Sequence, residues 1–318
     1  FGYPGVVAGL LGSNLTSKPQ MWFYDVNAKV NRTLDARNRM FFSLYSGGDH
    51  TVFNKLVKGY GMDWGNATAT IRWNHILNDK TNVNTSAVFS NYYYKYKSLS
   101  DGLRYVWKSN MQSYQLKSDW ERYQNNLLTL KGGVNLHYFT TMPGEVGKSG
   151  KDSNITPSQM PRKSLWDAAL YAEANYKFLP RFLLNAGVRL SVLHAPASAY
   201  YAAKTFVMPE PRAELSFIPN ASHRFSASYT QAAQSIHMLT TSSVGIPSDM
   251  WMPANALLKP SVMRQLALGY EYNFPDKEYT LSLEAYMRRT SHVVDYRKNA
   301  DIFQNDRIED EVETGSAR

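Results

Sequence analysis

Cysteine is absent from the 318 residues, which removes disulfide staples, thiolate metal sites and cysteine nucleophiles together. Charge is sparse as well: Asp, Glu, Lys and Arg make up 19% of the chain, below the quarter usual in soluble domains. No apolar run is long enough for a membrane helix. The glycine-studded stretch Gly5 to Gly12 (GVVAGLLG) falls far short of the roughly eighteen residues a span needs. There is no HExxH, and His50, His75, His137, His194, His223, His237 and His292 stand apart with no local metal-ligand spacing. Gly144 to Asp152 (GEVGKSGKD) misses the GxxxxGK[ST] spacing of a phosphate loop and has no strand-to-helix context. These absences argue against an enzyme, and they call for no cofactor and no metal. A secretory leader is missing too, and the chain opens on Phe1 and ends in DRIEDEVETGSAR. It reads as an interior piece of a longer precursor, so the missing leader carries no information about location.

Aromatic residues are what the chain has in excess: 14%, with 22 Tyr, 14 Phe and 7 Trp. With 43% hydrophobic residues it is too apolar for disorder. Tyrosine and tryptophan suit surfaces that are half wet and half greasy. Their arrangement decides the fold class, because it has period two. Leu170, Ala172, Ala174, Tyr176 and Phe178 alternate with Tyr171, Glu173, Asn175 and Lys177. After Leu179-Pro180-Arg181, the positions Phe182, Leu184, Ala186, Val188, Leu190 and Val192 alternate with Asn185, Gly187, Arg189 and Ser191. A helix would scatter these sets around its circumference, whereas a strand puts them on opposite faces. The unit recurs around turns near Asp35, Asp79, Asn125, Pro180, Asn220 and Pro275, giving six hairpins and about twelve strands.

Turns inside the hairpins are short, while the links between hairpins, at about 46–66, 97–111, 141–164, 195–208 and 234–261, read as long loops. Short turns at one end and long loops at the other are the asymmetry of an outer-membrane barrel. Hydrocarbon offers no partner to backbone N–H and C=O groups, so a spanning sheet must close on itself. The expected fold is therefore all-β, an antiparallel transmembrane β-barrel, and partial.

Several ordered segments carry a family resemblance. They are FYDVNAKVNRTLDARNRMFFSLYSGGD (Phe23 to Asp49), ATIRWNHILNDKTNVNTSAVFSNYYYKY (Ala69 to Tyr96) and ALYAEANYKFLPRFLLNAGVRLS (Ala169 to Ser191). Stronger are EPRAELSF (Glu210 to Phe217) and QSIHMLTTSSVGIPSDMWMP (Gln234 to Pro253), followed by KPSVMRQLALGYEYNF and LSLEAYMRRTSHVVDYRKNA. The series resembles the barrel of TonB-dependent outer-membrane receptors of Bacteroidetes, the branch with a carboxypeptidase-like regulatory module before the plug. The resemblance implies a 22-stranded barrel, of which residues 1–318 would be a middle section lacking plug, amino-terminal module and closing strands. It implies active uptake of a nutrient: a solute captured outside, a plug domain of the same protein, and a TonB complex acting on that plug. It also implies the outer membrane of a Gram-negative cell, with lipopolysaccharide around the barrel. A passive porin-like or adhesin-like barrel is the second reading, and a soluble all-β binding module the third.

Within that frame the loop from Gln234 to Lys259 combines His237, Asp249 and Trp251 with several Met residues. It reads either as a solute-binding rim, with Trp251 stacking and Asp249 accepting hydrogen bonds, or as a loop stiffened by Pro247, Pro253 and Trp251 to pack on its neighbours. Packing is the favoured alternative. The inward face is expected to carry Asp25, Lys29, Arg72, Glu173, Lys177, Arg189, Arg212, Glu214, Arg224, Glu271, Glu284 and Arg288, since a charge on the lipid face costs about 2–4 kcal/mol near the midplane. Cross-strand pairing and seating of the plug are their expected roles. The net charge of +9 is spread through the strands, not gathered beside a reading element, which argues against nucleic-acid binding.

Overall fold

In the computed structural model, residues 20–54, 59–100, 103–150, 153–240, 250–275, 278–300 and 305–318 are described. In chain order the elements are β1 (Gln20–Thr33), β2 (Asn38–Asn54), β3 (Gly59–Asn78), β4 (Thr81–Ser100), β5 (Leu103–Asn125), β6 (Leu128–Lys148), β7 (Ser158–Gln159) and β8 (Lys163–Leu179). Then come β9 (Phe182–Ala195), β10 (Lys204–Asn220), β11 (His223–Gln234), β12 (Ile236–Leu239), β13 (Met250–Pro253), β14 (Ser261–Asn273) and β15 (Thr280–Tyr296). A 3-10 turn, η1 (Ile308–Glu311), leads into β16 (Val312–Ala317). The six expected hairpins are β1–β2, β3–β4, β5–β6, β8–β9, β10–β11 and β14–β15, all antiparallel. They join edge to edge into one sheet, with β16 extending it beyond β15. Among the described residues, its terminal strands β1 and β16 do not pair with each other.

The register keeps one face apolar across the whole sheet. Val30 lies opposite Phe42, Phe42 opposite Ile71, and Ile71 opposite Ala87. The row continues through Leu116, Leu136 and Ala168 to Val192. A one-residue slip anywhere would turn a strand's apolar set inward, so the alternation specifies the pairing. Outward side chains such as Leu170 and Leu268 are 63% and 64% exposed, as lipid-facing groups must be. Two aromatic levels bound this face. At the short-turn end, Phe178, Phe182, Phe217, Phe225 and Tyr270 form a chain of ring contacts 4.8–6.3 Å between centroids. At the other, Phe89, Tyr114, Tyr138 and Trp166 form a second, at 4.5–6.2 Å. At about 3.3 Å per residue and a tilt near 40°, Trp166 and Tyr176 on β8 stand about 25 Å apart along the membrane normal, the height of an apolar band.

The opposite face carries the expected inward charges. Asp25, Lys29 and Arg72 share it with Glu173, Arg189, Arg212, Glu214, Arg224, Glu271, Glu284 and Arg288; Lys177 falls where the β8–β9 register shifts.

The links between hairpins differ from the sequence reading. Residues 46–54 and 59–66 are strand, as are 103–111 and 141–148, so much of what reads as loop is sheet rising past the membrane. Above the lipid neither face needs to be apolar, and the period-two signal fades while the hydrogen-bond ladder continues. Gly47-Gly48, which mimics a loop, belongs to β2 for a packing reason. A Cβ at Gly48 would meet the Tyr24 ring at 2.7 Å, and one at Gly65 would meet Tyr93 at 2.9 Å. These glycines leave room for rings lying flat on the sheet.

Candidate functional site, a cap over the barrel mouth

At the end opposite the short turns, the inward face changes character. Phe139, Leu165, Leu193 and Ala195 are buried there, packed with Met111, Phe206, Met208 and Ile236. A wall that is polar lower down becomes apolar here because protein covers it. The cover is the segment between β11 and β14. Its short strands pair His237 with Met252 and Met238 with Trp251. Period two again sorts the side chains: Met250 and Met252 are buried beside Leu239, Leu258, Met160, Ile308 and Val312. Trp107, Val294 and Tyr296 pack against that cluster.

A buried ion pair ties the cap to the wall. Lys163 at the start of β8 bonds Glu309 of η1, with side chains 4% and 3% exposed. Asn255 Nδ2 donates to Glu309 Oε1 at 2.9 Å, while its Oδ1 accepts from the backbone of Leu257 and Leu258 at 2.9 and 3.0 Å. The Lys163 ammonium lies 5.8 Å from the centre of the Tyr201 ring. Burial and then the Glu309 charge push the Tyr201 phenol up. A buried pair holds only when its remaining donors and acceptors are satisfied, and here the amide and ring come from two further loops. Four segments thus meet at one carboxylate.

Of the three residues singled out from sequence, His237 is 4% exposed. Its Nε2 donates to the Lys259 carbonyl at 3.1 Å, and Nδ1 lies 3.4 Å from Ser261 Oγ. Burial lowers its pKa, so the ring is neutral with the proton on Nε2. Trp251 is half-buried on β13. Asp249 lies outside the described residues. Lys163, Asn255 and Glu309 escape the sequence reading. Extending the β8 alternation back from Leu170 would place Lys163 inward, but nothing local points to a partner 146 residues away.

Below the cap the wall pairs its own charges. Arg189 lies between Asp167 (3.9 Å) and Glu210 (3.6 Å), Arg224 meets Glu214 at 3.0 Å, and Lys117 meets Asp119 at 2.9 Å. Tyr171 donates its hydroxyl to Asp119. Pro209 and Pro211 lack N–H groups, and the main-chain ladder to β11 starts only at Arg212. Side chains take its place, with Gln231 donating to the Pro209 carbonyl at 2.7 Å and the Glu210 carboxylate accepting from Ala233 N at 3.1 Å. Ser113 Oγ stands 2.6 Å from His137 Nε2. Asp167, opposite His137 in register, has its Oδ1 buried without a hydrogen-bond partner. Among the described residues no three His, Asp or Glu side chains gather to hold a metal.

A continuous lipid-facing surface between two aromatic levels, short turns at one end and a folded-in cap at the other define the wall of an outer-membrane β-barrel. The family of TonB dependent receptor-like β-barrels matches residues 12–314, and the chain belongs to that family. The sheet is the wall of such a receptor-like barrel of the Gram-negative outer membrane. No curated protein matches the sequence. Similar solved structures include the ferric-catecholate import receptor Fiu from Escherichia coli K12, with 13% identity, a TM-score of 0.64, and coverage of 90% of this chain and 53% of that one. The copper transporter OprC gives 13% identity, 0.64, 90% and 48%. The FrpB iron transporter from Neisseria meningitidis gives 12% identity, 0.64, 91% and 47%. At these identities the likeness is one of fold, and the chain spans about half the length of each structure.

Proposed function

We propose that this chain forms wall and mouth of a receptor for TonB-dependent active uptake of a nutrient. The observation that carries the reading is the cap: extracellular segments fold inward over the lumen and bury an ion pair there, where a passive pore needs an open mouth. The outer loops capture a solute above the cap, with Trp251 and Asp249 offering stacking and hydrogen-bond acceptance and His237 holding the hairpin in place. The polar face below seats the plug domain of the full-length protein, and the TonB complex acts on that plug. Lipopolysaccharide surrounds the outer rim. The ordered motifs, QSIHMLTTSSVGIPSDMWMP above all, favour the Bacteroidetes branch with a carboxypeptidase-like module. Fiu, FrpB and OprC are named for iron complexes, iron and copper, so metals and metal complexes are the first solutes to try, with glycans and peptides next.

The test is uptake by cells carrying the full-length receptor, with and without TonB, using radiolabelled ferric catecholate, copper ion, an oligosaccharide and an oligopeptide. Accumulation of one of these against its gradient, lost without TonB and reduced by Trp251→Ala, is the expected result. Passive equilibration of small solutes regardless of TonB would establish a porin-like barrel instead.

A further inference from the structure

We propose that Arg264 and Arg289, on the lipid-facing side of β14 and β15, clamp the phosphate of a lipid A molecule of the outer leaflet, one of whose acyl chains lies in the groove beneath them. Register places both. Arg264 pairs with Arg289 in the row directly above Leu266 and Met287. Alternation from Leu268 turns both side chains outward, where they are exposed. Height follows from the same ladder. Arg264 stands ten positions from Phe274, and Arg289 ten from Tyr279, the span that separates Trp166 from Tyr176. The Tyr272 and Phe274 rings lie 4.6 Å apart, and Phe274 N donates to the Tyr279 carbonyl at 3.1 Å, so these residues continue the lower aromatic level. The arginines therefore lie at the upper one, where the outer-leaflet headgroups begin. Beneath them a groove of about 620 Å³ opens to lipid, with Ala213, Ala227 and Ala285 set among Leu266, Leu268 and Met287.

The charge pattern singles the pair out. Like charges directly opposite on one face of a sheet repel, and among the described residues the ladder sets cation opposite cation in two places. At the first, Lys95 and Lys108 each meet a carboxylate, Asp63 at 3.5 Å and Glu145 at 3.0 Å. At the second, Arg264 and Arg289, no carboxylate among the described residues answers either charge. Gln231 instead holds one of them. Its Oε1 accepts from Arg264 Nε at 2.9 Å and from the Tyr229 hydroxyl at 3.3 Å, while its Nε2 donates to the Pro209 carbonyl at 2.7 Å. That bond engages Nε and leaves the Nη groups for an anion. A phosphate between two guanidinium groups takes paired bonds from their forks and removes the repulsion. The groove alone selects nothing, because lipid tails are as apolar as leucine. Phosphate above an acyl chain is the combination that a membrane lipid supplies. Lipopolysaccharide is the lipid that the receptor reading puts around the rim, so the site is assigned to its lipid A and rests on that reading.

The experiment uses the full-length receptor purified from outer membranes, with native mass spectrometry counting the lipid it retains. The expected result is a lipid A adduct whose occupancy falls roughly tenfold or more when Arg264→Gln and Arg289→Gln are combined. Arg264→Lys with Arg289→Lys, which keeps the charge but not the fork, lowers it less. Lys95→Gln with Lys108→Gln leaves it unchanged, and Ala227→Phe, which fills the groove, lowers it with both arginines in place. Heat-modifiable mobility reports barrel folding, and Arg289→Gln alone gives the same readout should the double variant fail to fold. Delipidated receptor is then offered phosphorylated lipid A, dephosphorylated lipid A, phosphatidylglycerol and inorganic phosphate, of which only the first is expected to bind. No retained lipid, an occupancy indifferent to the arginines or to the filled groove, or equal binding of another probe would overturn the site. TonB-dependent uptake by cells whose receptor holds no such adduct sinks the site alone, whereas a receptor missing from the outer membrane sinks the reading beneath it.

Discussion

Lys163 and Glu309 show how much one residue decides at the mouth. Both are almost fully buried, and removing one partner leaves the other charged and unanswered, at a cost of about 3–5 kcal/mol. Lys163→Met is expected to loosen the cap by that order, read as faster proteolysis of the Ile236–Pro253 region in the folded receptor. Combining Lys163→Met with Glu309→Leu should restore most of the protection, because the stranded charge is gone. His237 adds a pH dependence. Burial, opposed by its bond to Lys259 and aided by the charge of His292, holds its pKa below the ordinary value of 6.5. The unfolded cap then binds more protons than the folded one, so the stabilisation is full above about pH 6.5 and drains away as pH falls toward the folded pKa. Hydrogen-exchange protection factors of β12 and β13, corrected for intrinsic exchange, should therefore fall on acidification, and His237→Gln should flatten that response. Gly133 is a third case: any Cβ there would run into the Ser118 carbonyl and the Tyr171 ring. Gly133→Val is expected to expel Tyr171 from Asp119 and lower barrel stability by about 1–3 kcal/mol, measurable by the midpoint of denaturant unfolding in micelles.

Among the elements, β14 states the two-faced rule most simply. Leu268 points to lipid and is 64% exposed, while Ala267, its neighbour, faces inward opposite Tyr286. Leu268→Arg is expected to cost about 2–4 kcal/mol. The same change at Ala267 should cost far less, because the inward face is hydrated. Unfolding the two variants in lipid vesicles checks the difference. The strand alternation, the hairpin order and the inward charges were legible because lipid imposes period two without exception over the apolar band. Strand ends were not legible. Gly47-Gly48 and the Tyr92 to Tyr96 run obey ring packing above the membrane, where the pattern that marks strands has no cause. Likewise β12 and β13 are short strands inside what reads as loop, and their burial depends on Met160 and Ile308, far away in the chain.

At the scale of the whole molecule, the sheet presents two ends, β1 and β16, with no mutual pairing among the described residues. Unpaired backbone at a sheet edge is forbidden in hydrocarbon and sticky in water. The 318 residues expressed alone are expected to associate edge to edge rather than insert as a monomeric barrel, which light scattering and heat-modifiable mobility would show. Charge behaves as a whole-molecule property too. The net +9 hides ion pairs spread along the inward face, among them Lys117 with Asp119 and Arg224 with Glu214.

The sequence by itself determined the fold class, the hairpin count and which side of each strand meets lipid, because the bilayer acts on every residue of a span through one local rule. It also carried the family in the order of its motifs. Only the tertiary structure decided that Lys163, Tyr201, Asn255 and Glu309 converge, that the upper lumen is apolar under a cap, and that His237 is buried in holding a hairpin. Those facts depend on which distant loops fold over the mouth, and loops above the membrane answer to packing partners that no local period records.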